Sequence, residues 1–170
     1  MLRVAGEVGD GAIINWLAAE DVPRSVQIVR EAAHKAGRDP DSVEITARLL
    51  INVDPPSAAS DLAVRRQVAG YLNVPVYRAF HEWLGRGEAL GPMWEAWTSG
   101  DRKAAVAAVP DEVVGDLIIR GSVPEIRAHV RRYLEAGVDT AFLSVSTLEN
   151  DPARMRAVLA DAVRALAPSA

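Results

Sequence analysis

The chain has 170 residues, of which 49% are hydrophobic and 25% charged, and its formal net charge is -4. That length suits a single domain with a real core, and that charge balance leaves no basic stripe for nucleic acid. The absence of Cys excludes disulfides, thiolate catalysis and Cys-ligated metals, and no apolar run reaches the roughly 18 residues of a membrane span.

The first stretch, Met1 to Leu17, is unusual. A short amphipathic piece, Leu2 to Val8, runs into the turn signal Gly9-Asp10-Gly11, and a bounded apolar run, Ala12 to Ile14, follows. Such a run reads as a buried strand placed very early in the chain. Arg3, Gly6, Glu7 and Asp10 interrupt any signal-peptide pattern, so a cytoplasmic protein is expected. Glu20-Asp21 and Pro23 open a helix in which Val22, Val26, Val29 and Ala33 recur at helical spacing, and Gly37 closes it. Val43 to Val53 alternates at first, with Val43, Ile45 and Ala47 against Glu44, Thr46 and Arg48. It then turns wholly apolar at Leu49-Leu50-Ile51, a strand amphipathic at its entrance and buried at its exit.

From Ser57 to Gly121 the pattern is helical throughout. Helices are expected from Ser57 to Leu72, Val76 to Leu84, around Pro92 to Trp97, Asp101 to Val109, and from Pro110 to near Gly121. So long a stretch without a strand exceeds a plain crossover and reads as a helical insertion. Tyr71, Tyr77, Phe80, Trp83, Trp94 and Trp97 lie there, either as its own small core or as a roof over a flat ligand. Ser122 and Glu125 form a capping box. The next helix places Ile126, Val130 and Leu134 on one face and Arg127, Arg131 and Arg132 on a solvated one. Thr140 to Val145 is a third strand. A last helix from Pro152 turns Met155, Val158, Leu159 and Val163 inward, before a frayed tail at Ala167 to Ala170. Strands separated by helices pair parallel, through right-handed crossovers.

Three stretches carry a family resemblance. Leu2-Arg3-Val4-Ala5-Gly6-Glu7-Val8-Gly9-Asp10-Gly11-Ala12-Ile13-Ile14-Asn15-Trp16-Leu17 resembles a segment of the luciferase-like monooxygenases, in particular their deazaflavin-dependent oxidoreductases. Ala36-Gly37-Arg38-Asp39-Pro40 fits the same family. So does Val109-Pro110-Asp111-Glu112-Val113 leading through Gly121 to Ala136-Gly137-Val138-Asp139-Thr140. The resemblance implies an α/β fold: the C-terminal part of a (β/α)8 TIM-type barrel. About three parallel strands would be present, with a helical insertion, 57–121, after the second strand, inside one partial-barrel domain, 1–170. Ala12 to Asn15, Val43 to Val53 and Thr140 to Val145 would be strands six, seven and eight. A whole barrel needs roughly 250 residues, so a split gene, a truncation or a start chosen inside the frame is implied.

By the same resemblance the chain is a segment of an oxidoreductase or monooxygenase working by hydride transfer on a small-molecule substrate. Its cofactor would be coenzyme F-420, a deazaflavin, or alternatively FMN. It would be inactive alone, for want of the strands that bring most of the cofactor pocket. Barrel chemistry sits at the C-terminal ends of strands. That rule makes Asn15, Trp16, Leu17, Asn52, Ser144 and Ser146 the pocket candidates, with Tyr77 from the insertion. Asp54, before Pro55-Pro56, reads as a turn residue. His34, His81 and His129 are separated, show no metal-ligand spacing, and read as surface or satisfied histidines. Catalytic residues are not assignable, and no metal is expected. Open strand edges would leave Ile13, Ile14, Leu49, Ile51, Phe142 and Leu143 partly wet in a monomer. The expected partner is therefore a second copy or a chain carrying the missing barrel strands. The rival reading is a non-catalytic remnant that self-associates as a binding or structural module.

Overall fold

Each expected strand forms, and every connection between strands passes through a helix. A computed structural model describes residues 1–167; of the tail expected at Ala167 to Ala170, residues 168–170 lie outside the described residues. In chain order it contains α1 (Leu2–Val8), β1 (Gly11–Asn15), α2 (Val22–Lys35), β2 (Glu44–Asn52), α3 (Ala58–Leu72), α4 (Pro75–Trp83) and α5 (Gly87–Thr98). There follow α6 (Arg102–Ala107), α7 (Asp111–Leu117), β3 (Ile118–Ile119), α8 (Val123–Glu135), β4 (Thr140–Ser146) and α9 (Pro152–Leu166). No helix among the described residues is long and apolar enough to cross a membrane.

The sheet is wholly parallel and centred on β2. β1 runs beside the first half of β2, with Ile13 opposite Thr46 and Asn15 opposite Arg48. β4 runs beside Thr46 to Asn52 on the other edge. β3 pairs Ile118 with Leu50 and Ile119 with Ile51. Since β4 already occupies one edge there, β3 continues the edge that β1 begins. This short strand corrects the expected three-strand count. The helix expected to run to Gly121 stops at Leu117, because Ile118 and Ile119 exchange helical for ladder hydrogen bonds. The helix around Pro92 is longer than expected, Gly87–Thr98, with the proline inside it.

Side chains alternate across the sheet and split into two cores. One face sends Ala12, Ile14, Ile45, Ala47, Leu49 and Ile51 against α2 and α8, where they meet Val22, Val29, Ala33, Ile126 and Tyr133. Each Val, Leu or Ile among them contributes about 1.5–3 kcal/mol by leaving water. The other face is covered only at its end: Leu50 and Ile118 join Trp16, Val64, Val68, Leu72, Leu90, Met93 and Trp94 in the core of α3–α7. α1 lies directly on α2 because Gly6 has no side chain; a Cβ there would stand 2.2 Å from the Val29 carbonyl oxygen. Gly37 ends α2 at φ 73, a left-handed turn that suits glycine.

The remaining half of that second face is bare. Ile13 is 75% exposed and Phe142 57%, and Glu44 and Arg48 stand out beside them. The wetting expected of Ile14, Leu49 and Ile51 does not occur, because they sit on the covered face. Leu143, on that same face but in the outer strand, is half-buried. Two helix faces are rotated from expectation. In α8 the buried residues are Ile126 and Tyr133, while Leu134 is exposed. In α9 only Leu166 is buried; Val158 and Val163 are exposed and Met155 and Leu159 half-buried, because β4 is the last strand that α9 can lean on.

Candidate functional site

The C-terminal ends of β1, β2 and β4 meet under the overhang of α3–α7. Register puts Asn15 beside Arg48, and Asn52 beside Ser146. Alternation then places Asn15, Asn52, Ser144 and Ser146 on the incompletely covered face. Ser144 Oγ accepts a 3.1 Å hydrogen bond from Arg48 Nη2, and Ser146 Oγ donates to the Ile51 carbonyl at 3.0 Å. Asn52 is buried, and its Nδ2 donates to Asp54 Oδ2 at 2.7 Å while its Oδ1 finds no partner. Asp54 also accepts from Thr147 Oγ1 at 2.6 Å and from the Leu148 amide at 2.8 Å. It is thus more than a turn residue: it clasps the end of β2 to the end of β4.

Trp16 and Leu17 part company with Asn15. Trp16 takes φ 55, left-handed backbone that a bulky residue rarely adopts. That turn drives its ring into the helical core, where it stacks on Tyr71 at 4.3 Å and meets Tyr77 edge-on at 6.2 Å. Leu17 is buried in the sheet core. The aromatic roof is therefore only partial. Trp94 is core, its Nε1 donating to the Leu72 carbonyl, and Phe80 stacks on Trp83 outside the Trp16–Tyr71–Tyr77 group. Tyr77, Phe80 and Trp83 instead line an apolar groove of about 420 Å³ with Leu2 and Ile28.

A cavity near the strand ends, about 710 Å³, is bounded by Val53 to Ala58, Asp61, Arg120 to Ser122 and Glu125. None of the candidate pocket residues lines it. Hydrogen bonds from Arg65, and then Arg120, hold the Asp61 carboxyl below the usual range, and those from Ser122 do the same for Glu125. Both carboxylates are therefore ionised at neutral pH, with Arg120 the facing cation.

A charged network the sequence left unseen ties the overhang to the loop after β1. Arg86 reaches Asp21 at 2.8 Å and Asp116 at 3.6 Å. Burial pushes the Asp116 carboxyl up, against the pull of Arg86. Tyr133 donates its hydroxyl to the Leu17 carbonyl at 2.8 Å, with the Asp116 carbonyl at 3.2 Å; burial, chiefly, raises its pKa. His81 is fully buried among them, and neither ring nitrogen reaches hydrogen-bond geometry. Burial, then Arg86, lowers its pKa to about 4, against weaker pulls from the Trp16 main chain and Asp21. It is neither a surface nor a satisfied histidine, unlike exposed His34; His129 is half-buried and stacks on Tyr133. A lone His in a helix carries no sequence signal that would have predicted this burial.

Comparison with known proteins gives this geometry a context. The chain is 29% identical over 143 residues to a 5,10-methylenetetrahydromethanopterin reductase of Methanolobus tindarius, an alignment that covers 81% of this chain and 43% of that protein. In fold it resembles the coenzyme F-420-dependent tetrahydromethanopterin reductase of Methanopyrus kandleri, with TM-score 0.71 at 23% identity, over 96% of this chain and 46% of that one. An F-420-dependent secondary alcohol dehydrogenase, solved with an F-420-acetone adduct, superposes with TM-score 0.62 at 19% identity, over 98% of this chain and 46% of its own. The chain thus spans less than half the length of the relatives it matches. Residues 1–140 match the family model described as luciferase-like monooxygenase, and the chain belongs to that family.

Proposed function

We propose that this chain is the C-terminal strand-and-helix portion of a luciferase-like oxidoreductase that transfers hydride through a deazaflavin or flavin, and that it does not work alone. α3–α7 would be the insertion after the seventh barrel strand. The observation that carries the reading is the half-bare parallel sheet. Parallel sheets are ordinarily covered on both faces, and here Ile13, Arg48 and Phe142 face outward where a closed barrel has its interior. The relatives supply the cofactor class: one solved reductase and one solved dehydrogenase are F-420-dependent.

The residues present fit such a cofactor only in part. Asn15 and Ser146 offer polar contacts, but the Trp16 ring is packed into the helical core, and of its stack only Tyr71 stays exposed as a flat wall. Both cofactors also carry a phosphate, and the cavity at the strand ends presents Asp54, Asp61 and Glu125, of which, among the described residues, only Asp61 is ion-paired, to Arg65 and Arg120. This chain alone therefore lacks a complete site, and no reaction step is assigned to its residues. The missing wall would come from a chain bearing the remaining strand–helix units. The test is fluorescence titration of the purified chain with F-420 and with FMN, alone and after co-expression with the N-terminal half of the M. tindarius reductase. No saturable binding alone and micromolar binding in the complex are expected. Tight binding by the chain alone would overturn its incompleteness; no binding by a well-formed complex would overturn the oxidoreductase reading.

A second reading, a non-catalytic module that self-associates, is favoured by one observation: two large apolar side chains, Ile13 and Phe142, lie exposed on one sheet face.

A further inference from the structure

We infer that a second copy of this chain covers the bare half of the sheet, face to face and with its strands antiparallel to the first. The argument starts from Glu44 and Arg48. They stand four residues apart in β2, on the same face, and both are exposed. Among the described residues neither has an ion-pair partner. Glu44 accepts from the Thr140 hydroxyl at 2.7 Å, and Arg48 donates to the Ser144 hydroxyl at 3.1 Å, both neutral groups. Thr46 lies midway between them on that face.

A two-fold axis passing over Thr46, perpendicular to the strands, makes this face complementary to itself. It sets Glu44 opposite the second copy's Arg48, and Arg48 opposite the second copy's Glu44. It also sets Ile13, level with Thr46 in the register, against its own counterpart. Packed sheets lie about 10 Å apart, a gap that two long side chains reaching from opposite sides fill. The parallel alternative fails on two counts. It opposes Arg48 with Arg48 and Glu44 with Glu44, and it brings both overhangs to one end of the sandwich. Antiparallel packing instead hangs each α3–α7 body past the Glu44 end of the other sheet. An isologous pair of this kind closes on itself and does not propagate. The inference concerns the chain by itself and does not rest on the oxidoreductase reading; a chain that dimerises without binding cofactor separates the two.

The experiment is light scattering and sedimentation equilibrium on the full chain. Wild type is expected to have the mass of a dimer. Glu44→Arg and Arg48→Glu should each weaken the dimer by roughly tenfold or more, as like charges then face each other, and the double variant E44R/R48E should restore it. Both positions are exposed, so far-UV circular dichroism of each variant should match wild type and exclude misfolding, while the melting temperature falls with the dimer. Ile13→Cys, in a chain with no other Cys, should be captured as a covalent dimer by a bis-maleimide spanning about 10 Å, a gap too wide for a direct disulfide. A monomeric wild type would overturn the proposal, as for a face that waits for a different chain. So would a dimer indifferent to the charge reversals, or one not restored by the double variant. Crosslinking of Ile13→Cys only to Phe142→Cys would also overturn it, pointing to an edge-to-edge ring.

Discussion

His81 and Trp16 show what the join between sheet and overhang costs. His81 has its pKa lowered from 6.5 to about 4 in the folded protein. Between those values the unfolded chain binds the proton and the folded one does not, so stability falls as pH drops through that window. It is fully present above about pH 6.5, and the loss reaches roughly 3 kcal/mol by pH 4. His81→Leu fills a similar volume and removes the titration. Urea unfolding at several pH values should show a steep slope in wild type and a flatter one in the variant; parallel slopes would refute the assignment. Trp16 carries left-handed backbone at φ 55 for the sake of its stack with Tyr71. Trp16→Ala and Trp16→Gly both lose the ring, at about 3–5 kcal/mol. The usual order of the two should nevertheless reverse, with the glycine variant more stable by about 1 kcal/mol, because only glycine adopts that φ without strain. Denaturation midpoints of the pair test this. An alanine variant as stable as the glycine one would mean that the loop relaxes.

Between elements, the same substitution should have opposite signs in two helices. In α3, Gly70 has nothing within 4 Å of a built Cβ, so Gly70→Ala should stabilise by about 0.5–1 kcal/mol through helix propensity alone. In α1 a Cβ on Gly6 would meet the Val29 carbonyl oxygen at 2.2 Å and the Ala32 Cβ at 2.8 Å. Gly6→Ala must part α1 from α2, at a cost of roughly 1–3 kcal/mol, more than propensity returns. Chemical denaturation of the two variants gives the signs, and a neutral Gly6→Ala would mean that α1 is loosely held. Legibility followed the same logic of neighbours. β2 was readable because its alternation and apolar exit record burial on one face and then on two. β3 was not, because two residues are too short for a period. Spacing alone sets the expected faces of α8 and α9, and the structure turns α8 toward Tyr133 because its hydroxyl has the Leu17 carbonyl to reach. The strand-end residues Asn15, Asn52, Ser144 and Ser146 could be located by the barrel rule. Glu44 and Arg48 carried no such mark, since their meaning lies in what faces them.

At the scale of the whole molecule, stability should grade outward from β2. Its amides and carbonyls are bonded on both edges, to β1 and β3 on one side and β4 on the other. Its covered face carries Ile45, Ala47, Leu49 and Ile51, each at most 3% exposed. α9, at the far side of β4, buries Leu166 alone and leaves Val163 58% exposed. Arg127 Nη2 donates to the carbonyls of Ala165 and Ala167 at 2.9 and 2.8 Å, which pins its C-terminal end. Little apolar area opposes its release, so α9 should open without the rest of the chain. Native-state hydrogen exchange is expected to find the β2 amides exchanging only through global unfolding. The middle of α9 should exchange through an opening at least about 2 kcal/mol cheaper. Arg127→Ala should speed exchange in α9 and leave β2 unchanged, since it removes two hydrogen bonds at the C-terminal end of that helix. Protection of α9 equal to that of β2 would mean that something covers Val158 and Val163. Because the proposed dimer uses the opposite face of the sheet, it would not be the source of that cover.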